Sequence, residues 1–313
     1  MFAFVLRRVI GVIPVALTVV TLVFLLLRLS PGDPATLIAG ESASEADVAR
    51  VRASLGLDRP LWEQFLLFLG QLSRGDLGRS VLSNLEVTEL IAQRLEPTLS
   101  LAATTMIFSL MLAIPLGVFA AARAGTRVDR SIMVISVMAF SFPVFFTGYL
   151  LVWLFSIKAG WFPVQGFRSI REGIGPFAQH IALPTVALGL AYLALLTRMT
   201  RGAMLEVLRQ DYIRTARAKG LSRRVVLFVH ALKNASVPIV TTAGIGVALL
   251  IGGAVITESV FALPGLGRLT VDSILAHDYP VIQGLILFFS CVYVVLNLLI
   301  DLSYCLLDPR IRY

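Results

Sequence analysis

Residues 97–122 read PTLSLAATTMIFSLMLAIPLGVFAAA, an unbroken run without Asp, Glu, Lys or Arg. About 20 such residues suffice for a helix to cross the hydrocarbon core of a bilayer. Lipid offers no partner to a backbone N–H or C=O, and a helix satisfies both within one segment. Five further uncharged runs, 9–27, 131–157, 173–197, 234–257 and 279–300, lie on either side of it. No barrel-like alternation accompanies them. The expected fold class is an all-α membrane protein with six transmembrane helices. Pro14, Pro115, Pro143 and Pro184 each remove a backbone donor inside one of these runs and should mark local irregularities. The fourth run is diluted by His180, Pro184 and several Gly and Ala residues.

Composition agrees. Of 313 residues, 57% are hydrophobic and only 15% charged, whereas a soluble domain carries about 25% charged residues. Mean hydropathy is +0.85. The net charge of +8 is divided among short blocks between apolar runs, a poor match to nucleic-acid-binding or disordered chains. With the N-terminus inside, segments 1–8, 123–130, 198–233 and 306–313 hold 16 Lys/Arg and four acids. The outer segments 28–96, 158–172 and 258–278 hold 11 Lys/Arg and 14 acids. Basic enrichment of short loops marks the inner side, so both termini are expected in the cytoplasm. Arg7 and Arg8 precede the first run as in a secretory signal. That run exceeds the usual signal core of about 7–15 residues, which favours a retained anchor.

Little in the chain points to catalysis. Cys291 and Cys305 are the only cysteines, and 14 helical positions separate them by roughly 21 Å, too far for a disulfide. They read as membrane-buried small apolar side chains. His230 has no companion ligands for a metal. There is no phosphate-binding loop, dinucleotide glycine fingerprint or HExxH, so any chemical energy would be spent by another chain.

Three loops carry the remaining information. In the outer segment 28–96, LWEQFLLFLGQL (61–72) follows Asp58 and Pro60, which suit a helix start. Trp62, Phe65, Phe68 and Leu69 fall on one face of that helix, and Asp58, Glu63 and Asp76 are candidates to orient a receptor. The inner segment 198–233 contains LEVLRQDYIRTARAKGLSRRVVLFVHALKN. Ala216 and Gly220, four apart, are expected to share a helical face open to a partner groove, and Gly220 also suits a turn between two short helices. Arg209, Arg214, Arg217, Lys219, Arg223 and Arg224 suit an acidic protein partner or anionic lipid equally well. Outside the fifth and sixth runs, Glu258, Asp272, His277 and Asp278 form a sparse polar series, suited to a gate, to cargo contact or to capping of an outer loop.

Four ordered blocks then resemble a known family. They are FVLRRVIGVIPVALTVVTLVFLLLRLSPGDPA; LGLDRPLWEQF followed by GDLGRS; DYIRTARAKGLSRRVVLFVHALKNASVPIVT; and ESVFALPGLGRLTVDSILAHDYPVIQG. They resemble the first of the two permease subunits of bacterial peptide-type ABC importers, the branch that includes dipeptide, oligopeptide, glutathione and nickel systems, in a likeness that spans nearly the whole chain from Phe4 to Arg310. The third block is similar to the permease docking loop described by an EAA pattern followed by Gly. Arg214, Thr215 and Ala216 occupy the patterned positions and Gly220 is retained. Arg214 and Thr215 depart from the pattern, which leaves a short docking helix and its Gly turn as the carried-over element.

The resemblance implies a type I ABC importer permease fold in the bacterial inner membrane. It implies one permease domain over 1–313, an extracytoplasmic insertion at 28–96 and a cytoplasmic coupling loop at 198–233. The coupling loop would comprise Tyr212, Arg214, Thr215, Ala216, Arg217, Lys219, Gly220, Arg223 and Arg224. Glu258, Pro264, Gly265, Asp272 and Asp278 would form an outer gate or receptor contact. The implied partners are a second homologous permease, two cytoplasmic ATP-binding subunits, an extracytoplasmic solute-binding protein and membrane lipid, with no nucleic acid. ATP and Mg would be held by the partner subunits, no cofactor by this chain, and cargo would move by alternating access. Peptides lead as cargo, with nickel or glutathione as the alternative. A secondary carrier would instead need a buried ion site or inverted repeat, and a channel would need a filter. A structural membrane protein would leave the four blocks unexplained.

Overall fold

The computed structural model describes residues 2–29, 35–36, 44–54 and 56–307. The Pro31–Pro34 portion of the first block and the basic residues Arg310 and Arg312 lie outside them. The described residues are almost wholly helical. In chain order the helices are α1 Phe2–Leu29, α2 Glu45–Ser54, α3 Leu61–Ser73, α4 Val87–Ala122, α5 Arg127–Ser141, α6 Val144–Leu151, α7 Ile174–Leu208, α8 Asp211–Ala218, α9 Arg223–Val225, α10 Leu232–Val260, α11 Leu266–Leu275 and α12 Tyr279–Leu307. Wider π-helical turns extend α6 through Val152–Lys158 and join α9 to α10 through Val226–Ala231.

Each of the six uncharged runs is largely helical, the third interrupted at Phe142 and Pro143. Among the described residues, four helical stretches are each long and apolar enough to cross a membrane: Val87–Ala122, Ile174–Leu208, Arg223–Val247 and Tyr279–Ile300. The pair Arg127–Ser141 and Val144–Lys158 makes a fifth when taken as one span, and α1 contains the shorter apolar stretch Ile10–Leu25. The third span is therefore no straight crossing, since its halves meet at 96°. Pro143 causes the break. Pro143 precedes α6 with φ −56°, and Phe142 before it is extended at ψ 131°, the conformation a following proline favours. Pro14, Pro115 and Pro184, expected to act alike, remain inside continuous helices.

Two compact units divide the chain. The larger comprises Glu96–Arg268 and the residues from Leu296 onward. Its core centres on α7, where Leu183, Leu188, Tyr192 and Leu196 meet Leu101 and Ala113 of α4, Leu250 and Ala254 of α10, and Phe261 and Leu263 beyond α10. The dilute hydropathy of this fourth run now has a cause. Some 67% of its apolar window is buried inside the protein, against 17% for α12. A helix surrounded by other helices packs through small residues and has little need of the bulky apolar surface that meets lipid. Ser169 caps the short turn before α7, and its hydroxyl also donates to the Glu96 carboxylate.

The smaller unit comprises Phe2–Leu95 and Leu269–Val295. Phe24 of α1 packs edge-on to Phe65 of α3 with ring centroids 5.1 Å apart, and against Phe68 at 5.8 Å. Phe65, Phe68 and Leu69 form the expected inward face, but Trp62 is 66% exposed and Gln64 is buried instead. Gln64 donates to the carbonyls of Leu57 and Arg59, closing the turn that enters α3. Pro60 is the capping residue of α3 rather than its first helical position.

Candidate coupling elbow and outer polar clusters

The inner segment folds as a helical elbow within the larger unit. Helix α8 is amphipathic: Ile213 and Ala216, three apart, are buried, while Asp211, Tyr212, Arg214, Thr215 and Arg217 are exposed. The buried pair packs into a cluster with Val118 and Ala121 of α4, Ala203 and Met204 of α7, and Val226 and Leu227 after α9. Ala216 therefore serves the protein's own core. Helix α8 ends at Ala218, so Ala216 and Gly220 do not share a helical face as the spacing had suggested. Gly220 is exposed with φ +76° and open space where a Cβ would stand. Its requirement is the left-handed backbone of the turn, not close approach of another element. Ser222 then caps α9 by accepting from the Val225 amide.

The elbow offers its charge outward. Arg214, Arg217, Lys219, Arg223 and Arg224 are all exposed. Arg214 lies 3.4 Å from Asp211 in a pair exposed on both sides, too solvated to be worth much. Arg223 donates to the Ala122 carbonyl at the end of α4, tying α9 to the body. Burial pushes the Tyr212 hydroxyl pKa up from its ordinary value, partly offset by a hydrogen bond from the Asn234 side chain.

The outer candidates separate. In the larger unit, Glu258 has no exposed surface. Its Oε1 accepts from the Thr98 hydroxyl at 2.6 Å and its Oε2 from the Arg268 amide at 2.9 Å, while Thr98 Oγ1 accepts from the Leu266 amide at 2.8 Å. Leu266 and Arg268 are in the first turn of α11, whose amides have no intrahelical partner. Glu258 and Thr98 therefore cap α11 from a distance. Gly265 is buried against this carboxylate and a Cβ there would overlap it, whereas Pro264 is exposed. Glu258 and Gly265 are closed to direct receptor contact in this conformation; Pro264 and, in the smaller unit, Asp272 are open to it.

Asp278, also in the smaller unit, is 3% exposed and accepts from the Ser80 hydroxyl at 2.5 Å and the Val81 amide at 3.3 Å. These bonds hold a small hairpin of the outer segment, in which Arg79 pairs with Glu86 and Ser80 N donates to the Leu85 carbonyl. Among the described residues no group of His, Cys, Asp and Glu can hold a metal.

Two partners escaped sequence reasoning. Thr98 and Ser80 are ordinary polar residues until their carboxylates arrive. Asp129 and Arg201 form a further pair in the larger unit, with Arg201 Nε 2.6 Å from Oδ1 and Nη2 2.7 Å from Oδ2. A signal did exist for Asp129, because it is one of only four acids on the basic inner side.

Comparisons with known proteins bear on these features. Residues 113–313 match the family model described as binding-protein-dependent transport system inner membrane component, and residues 1–102 match that of its N-terminal region. The chain is 50% identical over its full length to the full length of "Probable peptide ABC transporter permease protein y4tP" of Sinorhizobium fredii. It is 44% identical, again over the whole of both chains, to the glutathione transport system permease protein GsiC of Salmonella paratyphi A. In fold it is similar to a chain of the MetNI methionine ABC transporter in an inward-facing conformation, with a TM-score of 0.59 and 19% identity, covering 71% of this chain and 97% of that one.

Proposed function

This chain belongs to the family of binding-protein-dependent transport system inner membrane components and is a multi-pass, non-catalytic permease subunit of an ABC importer; from that premise we propose that its cargo is dipeptides or oligopeptides. The supporting observation is the match, at 50% over the whole length of both chains, to a relative named as a peptide permease. Glutathione is the second reading, favoured by the full-length match to a glutathione permease.

ATP is hydrolysed in separate subunits, and a partner permease completes the pathway. In the proposed assembly the partners are one homologous permease, two ATP-binding subunits that hold ATP and Mg, and an extracytoplasmic solute-binding protein. The elbow from Tyr212 to Arg224 receives the movement of the ATP-binding subunits. Its charged residues face solvent while Ile213 and Ala216 root it in the core, the arrangement a docking element needs. Pro264 and Asp272 are the outer residues available to the binding protein. The segments 28–96 and 198–233 act as the extracytoplasmic insertion and the coupling loop of one permease.

Staged reconstitution in liposomes tests this reading. The chain is inserted alone, and the second permease, the ATP-binding subunits and the binding protein are then added in turn. ATP-dependent accumulation is expected only in the complete assembly, for labelled dipeptides before glutathione or nickel. Accumulation of nickel or glutathione without peptide would overturn the cargo assignment. Sustained ATP-dependent uptake by the chain alone, with contaminating ATPases excluded, would overturn the division of labour.

A further inference from the structure

Asp129 lies in the first turn of α5 and is 3% exposed. Its carboxylate accepts the Nε and Nη2 hydrogens of Arg201 as a fork and the Gly125 amide at 2.9 Å. Both oxygens are thus committed to fixed donors. Arg201 projects from α7, seven residues before that helix ends at Leu208, or roughly 10 Å along its axis. Asp211, the first residue of α8, follows almost at once. A two-point guanidinium–carboxylate pair fixes orientation as well as distance. The fork therefore holds α5 and α7 in one relative orientation at this level.

A second connection reaches the same place. Arg223, from the other arm of the elbow, donates to the Ala122 carbonyl. The turn that follows, Arg123–Thr126, supplies the Gly125 amide to Asp129 and the Thr126 cap to α5. α7, just before the elbow, and Arg223 within it thus connect to the beginning of α5 and the helix end before it. The far end of α5 is the Phe142–Pro143 break, where the third span turns through 96° into α6. Such a partly buried ion pair contributes little stability beyond that of well-packed apolar residues of the same volume. Its distinguishing property is that it allows one relative arrangement of the two helices and penalises others.

We propose that Asp129 and Arg201 are positioning residues for transport, a latch through which displacement of the elbow reaches the broken third span. Movement imposed on α8 shifts α7 through the Met204, Ile213 and Ala216 contact, and the Arg201 fork carries α5 with it. With the latch cut, the ATP-binding subunits still move the elbow, but the third span no longer follows in register. The complex then hydrolyses ATP without moving cargo in proportion.

The inference rests on the importer reading above, and the experiment separates the two. The complete assembly is reconstituted with wild-type chain, Asp129→Asn or Arg201→Lys, and uptake of labelled dipeptide and labelled glutathione is measured beside ATP hydrolysis at equal amounts of assembled complex. Arg201→Lys keeps the charge and loses the fork. Solute taken up per ATP hydrolysed is expected to fall about tenfold in both variants, with hydrolysis retained. A wild-type ratio in either variant would overturn the latch while leaving the importer reading intact. Failure of both variants to assemble would also overturn it, because the pair would then be a folding element. Absence of ATP-coupled uptake by the wild-type assembly would instead sink the importer reading.

Discussion

Thr98 and Glu258, 160 positions apart, are joined by a 2.6 Å hydrogen bond in which the Thr98 hydroxyl donates to a carboxylate with no exposed surface. The bond draws the early part of α4 to the end of α10, and through the Arg268 and Leu266 amides it sets the start of α11. Replacing Glu258 by Ala removes the acceptor of the Thr98 hydroxyl and of the Arg268 amide. Each buried group left unsatisfied costs about 1–3 kcal/mol. Glu258→Ala is therefore expected to lower the thermal unfolding midpoint of the detergent-solubilised chain by several degrees. Glu258→Gln, which keeps an acceptor and the shape, should lose less. Equal midpoints for Ala and wild type would show that the carboxylate does not hold α11.

At Gly220 the structure separates a backbone requirement from a contact. The backbone is left-handed, at φ +76°, and no atom stands near the place of a Cβ. For an L-residue that conformation costs about 1–2 kcal/mol, and Asn tolerates it better than most. Transport per assembled complex should stay near wild type in Gly220→Asn and fall severalfold in Gly220→Val, with membrane insertion preserved in both. Loss of transport in the Asn variant would mean that a partner surface occupies the space beside the turn.

The elbow's two faces should fail in different ways. Ile213 is fully buried beneath α8, and truncating such a side chain to Ala costs about 2–5 kcal/mol. Ile213→Ala should lower stability and also weaken recovery of the ATP-binding subunits. Arg217→Ala, on the exposed face, should weaken that recovery, more so as salt rises, without moving the unfolding midpoint. Co-purification at two salt concentrations beside thermal unfolding distinguishes the two. If Arg217→Ala changes neither readout, this face does not dock the ATP-binding subunits through charge.

Asp278 holds the outer hairpin through Ser80 and the Val81 amide. Hydrogen bonds to a charged acceptor contribute about 1.5–3 kcal/mol, which corresponds to roughly 10- to 100-fold in local opening. Asp278→Ala should raise amide exchange of residues 80–87 by that factor and leave α7 protected. Unchanged exchange would show that the hairpin holds without the carboxylate.

Membrane character, the largely helical nature of the apolar runs and the basic turn within 198–233 were legible in the sequence because each is local. A run of uncharged residues has to become a helix in lipid whatever surrounds it, and a Gly between two amphipathic stretches announces its turn. The ordered blocks carried the family relationship for a similar reason, since long runs of matched residues survive without knowledge of their neighbours. What the tertiary structure alone decided is which distant groups meet. Glu258 and Asp278 read in the sequence as a gate, a cargo contact or a loop cap, and both are buried because Thr98 and Ser80 come to them from another part of the chain. Asp129 finds Arg201 72 positions away, and Ala216 turns into the core beneath the elbow. Pro143 breaks its span while Pro115 and Pro184 do not, although all three remove the same donor. Hydropathy and spacing assign a residue to membrane or water, but only the packed chain supplies the particular donor that allows a carboxylate to be buried.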